Sequence, residues 1–132
     1  MSNELEMKIM KKVVDGQVET ESKLVTIKDE VFDLDKELNS EITVNEVIAV
    51  VKEGEKLVKE AEDLVKEEVG KYFKEGIKAL EECKDFDEMT NAIDFTTGIQ
   101  KRVEKHINMV IDIREKNKKL GEIVLNEDPY YN

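Results

Sequence analysis

The only proline in the chain is Pro129. Proline removes a backbone donor and clashes with the turn before it, so everything ahead of residue 129 is free to be helical. Apolar residues use that freedom with a helical rhythm. Leu24, Ile27, Val31, Leu34 and Leu38 step by three, four, three and four. That spacing places all five on one narrow stripe, as in a coiled-coil seam. Leu5, Ile9 and Val13 form a shorter stripe upstream, and Gly16 between the two is a candidate break. The first helix is therefore expected from about Asn3 to Asn39.

Two turns divide the rest. After Asn39 and Ser40, Thr43 and Glu46 have the Thr-x-x-Glu spacing of a capping box, which starts a second helix running to about Cys83. Its apolar face is broad: Val47, Val51, Leu57, Val58, Ala61, Leu64, Val65, Val69, Tyr72, Phe73, Ile77 and Leu80. A face that wide suits two neighbours. Gly54, Gly70 and Gly76 are candidate bends. Glu62 and Lys66 form one of several i,i+4 pairs in the favourable order. Asp85 and Glu88 repeat the capping signal and open a third helix. Its stripe is Ile99, Val103, His106, Val110, Ile113, Asn117 and Leu120. Gly98 lies between Thr97 and Gln100, whose spacing allows a restart. Gly121 reads as a stop, with lysines before it at the negative end of the helix dipole.

Short connections make successive helices antiparallel. The expected fold is all-α: an elongated antiparallel bundle of three long, coiled-coil-like helices. One domain is expected over residues 1–121, followed by an extended or flexible tail over 122–132. The narrow first seam also suits pairing with a second copy of the chain, so a homodimer is an alternative way to complete the core.

Charge narrows the partners. The chain has 21 Lys plus Arg against 32 Asp plus Glu, a net charge of −11. Nucleic-acid affinity rests on neutralising phosphates, and anionic membranes attract basic segments, so neither is an expected partner. A basic protein is compatible. No apolar run approaches a membrane span, and the first residues do not read as a signal peptide. The expected location is the cytoplasm. The one cysteine, Cys83, has no partner for an internal disulfide and no cluster for zinc. No cofactor is expected.

His106 is the only histidine. In "RVEKH" it follows Arg102 by one helical turn. The string resembles the Arg-and-His pair of the helical ribonuclease domains called HEPN, and that resemblance implies RNA cleavage by Arg102 and His106. Those domains place at least four residues between Arg and His, often with Asn after the Arg; here three intervene and Val103 follows. The competing reading is structural. A neutral imidazole in an apolar stripe needs hydrogen-bond partners, and a lone polar residue in a seam fixes register at a cost in stability. Asn117 shares the stripe. On that reading His106→Leu keeps the fold and raises its stability, whereas lost folding would place the imidazole in a buried network. The surrounding segment Lys101–Lys119 carries seven basic against three acidic residues and suits the acidic faces of other helices.

Carboxylate spacing supplies a second candidate. Glu60 with Asp63 puts two carboxylates on one side of a helix, within reach of one Mg²⁺. "KLVKEAEDLVKEE" followed by "DEMTNAIDF" resembles the all-α nucleotide pyrophosphohydrolases of the MazG type, which hold Mg²⁺ between acidic pairs on two facing helices. The resemblance implies Glu60, Asp63 and Asp94 as metal ligands, with Asn91 where another acidic ligand is wanted. The glycine that usually follows the first acidic pair is missing. With 32 acidic residues, such spacings also arise as a solvated helix face.

Three functions follow from these residues. The first is a non-enzymatic helical interaction module: an adaptor, assembly factor or small regulatory subunit. The second is a MazG-like hydrolase with an altered acidic site. The third is an acidic inhibitor whose carboxylates imitate a nucleic-acid backbone. No Gly-rich phosphate loop is present, and Cys83 near Glu82 and Asp85 is poorly placed to become a thiolate.

Overall fold

The computed structural model describes residues 2–38 and 42–127, and side chains within 7–38 and 42–120. Three helices account for nearly all of them: α1 (Ser2–Leu38), α2 (Val44–Glu81) and α3 (Phe86–Glu127). The described residues contain no strand. The protein is an all-α three-helix bundle.

The turns work as their sequences require. Thr43 Oγ1 accepts from Glu46 N, and Glu46 Oε2 accepts from Thr43 N, both at 3.2 Å. Each side chain satisfies a backbone donor that the start of a helix leaves open. At the next turn Asp85 Oδ1 accepts from Glu88 N at 2.8 Å. The return bond goes one residue further back, from Lys84 N to Glu88 Oε2. Both caps fix where α2 and α3 begin.

Glycines do not interrupt the helices. Gly16, Gly54, Gly70, Gly76 and Gly98 all lie within continuous helix, and no glycine among the described residues takes positive φ. One helical glycine costs only about 1 kcal/mol relative to alanine, which packing can offset. Gly16 does this visibly: the Tyr72 phenol occupies the space a Cβ would need. Gly54 is matched in the same way by the Asn117 amide. The expected restart after Gly98 is likewise absent. Gly121 is not a stop either, because α3 continues to Glu127. A glycine ends a helix when the chain needs a left-handed residue, and here the chain does not turn. The expected tail therefore begins as helix over residues 122–127; residues 128–132, with Pro129, lie outside the described residues, as do Asn39 and Ser40.

The bundle comprises two compact units, each drawing on all three helices. Unit 1 is Met1–Ser22 with Leu64–Ile107; unit 2 is Lys23–Asp63 with Asn108–Asn132. In unit 2, Leu24, Ile27, Val31 and Leu34 are buried, with Leu38 half-buried. Val50, Leu57 and Ala61 of α2 and Val110, Ile113 and Leu120 of α3 are buried in the same unit. The first seam is thus covered within one chain. In unit 1, Val13, Tyr72, Ile99 and Val103 form the apolar core, with Phe73 and Phe95 against it. The wide face expected of α2 is narrower than its apolar residues imply, since Val69, Ile77 and Leu80 are exposed. Its buried line runs instead through Gly54, Leu57, Ala61, Glu68, Tyr72 and Gly76.

Candidate functional site

The polar interior of unit 1 is its most distinctive feature. His106 lies on the buried stripe of α3 and is 1% exposed. Its Nδ1 is 2.9 and 2.8 Å from the two carboxylate oxygens of Glu68. Glu68, on α2, is itself 2% exposed. When Glu68 is ionised its oxygens only accept, and the imidazole then donates from Nδ1. Burial of a carboxylate demands such a partner, because an isolated buried charge is strongly unfavourable.

Nearby, Gln17 of α1 is also fully buried. Its Nε2 donates to the Ile99 carbonyl at 3.3 Å, and its Oε1 accepts from Arg102 Nε at 2.5 Å. One turn along α1, Glu21 pairs with Lys105. The hydrogen bond from Lys105 holds the Glu21 carboxyl below its ordinary value near 4.5; partial desolvation opposes this, and the Lys105 and His106 charges add to it. Together these residues tie all three helices, and no buried side-chain nitrogen or oxygen among the described residues lacks a partner.

The Glu21 pair makes a testable acid dependence. A lowered carboxyl contributes stability that is complete above the unfolded value and lost as pH falls through the folded one. Lys105 is exposed and Glu21 only half-buried, so solvent screens the pair and the contribution is small. Lys105→Met is expected to lower the melting temperature slightly at neutral pH, and the gap to the parent should close in acid below the ordinary carboxyl range. A gap that persists there would mean that packing by the lysine stem, not charge, is responsible.

The site redistributes the residues singled out from sequence. Arg102 and His106 are together in unit 1, but the imidazole is enclosed and engaged by Glu68 rather than presented outward. Asn117 is not its partner: it is half-buried in unit 2 against Gly54. Glu60 and Asp63 are exposed in unit 2, while Asn91 and Asp94 are exposed in unit 1. Among the described residues no group of three or more His, Cys, Asp or Glu side chains is placed to hold a metal. Cys83 is half-buried and donates to the Ala79 carbonyl at 3.2 Å.

The basic segment of α3 does meet acidic residues on other helices. Besides Lys105 with Glu21, Lys116 lies 3.1 Å from Asp35 and Arg114 lies 3.6 Å from Glu62. Glu62 therefore reaches across to α3, where sequence spacing paired it with Lys66.

Gln17 and Glu68 are the residues that apolar patterning misses. Both had a signal. Gln17 continues Val13 by four residues and precedes Leu24 by seven; Glu68 follows Ala61 by seven and precedes Tyr72 by four. A heptad register that admits polar residues finds both.

Compared with known proteins, the chain matches no family model, no curated protein and no solved structure. No helix among the described residues is long and apolar enough to cross a membrane.

Proposed function

We propose that this chain is a non-enzymatic helical interaction module that acts through the outer faces of its helices on a basic protein partner. The observation that carries this reading is the contrast between inside and outside. The buried polar side chains of unit 1 are engaged with one another, while large apolar side chains stand in solvent on regular helical spacing. On α3, Phe86, Met89 and Ile93 are three and four residues apart, and Phe86 is 74% and Ile93 47% exposed. Ile77 and Leu80 of α2 are exposed in the same unit. Single exposed apolar residues are ordinary, but repeated ones at helical spacing are how a helix face meets another protein. The net charge of −11 favours encounter with a basic partner.

The test is affinity capture from the native host with the full-length chain and with Phe86→Asp combined with Ile93→Asp. The parent chain is expected to retain a defined protein that the double variant loses. Capture of nothing specific by the parent would overturn the interaction reading. Equal capture by both would remove this face of α3 from it.

A further inference from the structure

Unit 1 also has a partly open cavity of about 240 Å³ between its three helices. Its apolar lining includes Ile9 and Met10 of α1, Cys83 just after α2, and Ala92 and Phe95 of α3. Ala92 is buried and Met10, Cys83 and Phe95 are half-buried, while Ile9 is exposed at the mouth, so the floor is recessed surface that opens to solvent. Side chains lining such a space lack contact atoms on one side and gain them when it is filled. Its volume is below the roughly 300–1,000 Å³ of typical small-molecule sites. It suits one anchoring side chain of a partner, the kind of buried aromatic or aliphatic contact that dominates interface energetics.

The rim fixes the chemistry of that partner. Glu75, Glu82 and Glu88 border the cavity, against a single Lys78. Glu88 already accepts from Lys84 N, but its carboxylate still contributes negative potential. An acidic segment would meet like charge here.

We propose that this cavity is the anchor pocket for a partner segment that presents one large apolar side chain flanked by Lys or Arg. The proposal rests on the interaction reading above and deepens it, since it assigns the partner's recognition chemistry. The apolar side chain enters between Ile9, Ala92 and Phe95, and the flanking cations lie against Glu75 and Glu82. Specificity then has two parts: the cavity selects the anchor, and the rim selects its charge.

The Cys83 thiol lines the cavity and reports on its occupancy. Alkylation of Cys83 by iodoacetamide would be followed on the full-length chain with three synthetic Ala-rich helical peptides. One carries lysines around a central Phe, the second has glutamates in place of the lysines, and the third has Ala in place of the Phe. The lysine–Phe peptide is expected to slow alkylation saturably. The other two should need at least about tenfold more peptide for the same protection, as expected for loss of one anchor or of charge complementarity. Ala92→Phe should fill the cavity and abolish protection. Glu75→Lys with Glu82→Lys changes only the rim and should reverse the preference toward the glutamate peptide. That second variant keeps the test decisive if Ala92→Phe disturbs the core. Equal protection by all three peptides, or protection by none, would overturn the proposal. If no peptide protects Cys83 but native capture still depends on Phe86 and Ile93, the pocket falls and the interaction reading stands.

Discussion

His106→Leu is expected to destabilise the fold by about 1–3 kcal/mol, the usual loss when a buried polar group is left without its hydrogen-bond partner. The loss would come from Glu68, whose carboxylate is 2% exposed and would have no imidazole to accept from. Equilibrium urea unfolding measures it. Replacing both residues, Glu68→Leu with His106→Leu, should restore most of the stability or exceed the parent, because replacing both partners of a buried hydrogen bond by apolar groups can be neutral or stabilising. The order of the three stabilities is the diagnostic. A single His106→Leu variant as stable as the parent would show that Glu68 reaches water once the ring is gone. The seam pattern alone leads to the opposite expectation, a gain from a lone histidine exchanged for leucine. The two expectations differ because the structure places a carboxyl group of another helix, Glu68, against the ring.

The other large effect lies in unit 2. Leu24 is 0% exposed, whereas its neighbour Val25 is 45% exposed. Leu24→Ala removes buried methyl groups and leaves a cavity, and should cost about 2–5 kcal/mol. Val25→Ala should stay within about 0.5 kcal/mol, as substitutions outside the core generally do. Urea unfolding of the two variants reads the rotation of α1 about its axis. Comparable losses at both positions would mean that the helix turns a different face inward.

The stripe of α1 was legible in the sequence because Leu24, Ile27, Val31 and Leu34 are aliphatic and evenly spaced, so periodicity alone identifies the buried face. The caps at Thr43 and Asp85 were legible for a similar reason: a backbone donor at a helix start has few ways to be satisfied, and the capping side chains are local. Glycine misleads in this chain. Gly16 and Gly121 resemble a break and a stop, yet a glycine that admits Tyr72 is a packing device, and only the neighbouring helix reveals it. The candidate site was half legible. His106 was conspicuous as a lone imidazole on an apolar stripe, and its need for a hydrogen-bond partner followed from physical chemistry. Which partner it takes did not. Glu68 is one acid among 32 Asp and Glu, and its distinction is long-range, 38 residues from the ring it holds. The cavity beside Cys83 was not legible at all, because a void depends on three helices meeting and leaves no mark on any one of them.

In the interaction reading proposed above, the two kinds of unusual residue have separate roles: His106, Glu68, Gln17 and Arg102 would set how the helices pack, and Phe86, Ile93 and the acidic rim around Glu75 would meet the partner. The most direct measurement is partner capture by the full-length Glu68→Leu, His106→Leu chain, beside the parent and the Phe86→Asp, Ile93→Asp variant. With folding verified by circular dichroism, the chain lacking the buried pair is expected to retain the same partner as the parent, while the surface variant loses it. Loss of the partner by a correctly folded chain without His106 and Glu68, with capture intact in the surface variant, would contradict the account and move the function into the polar interior.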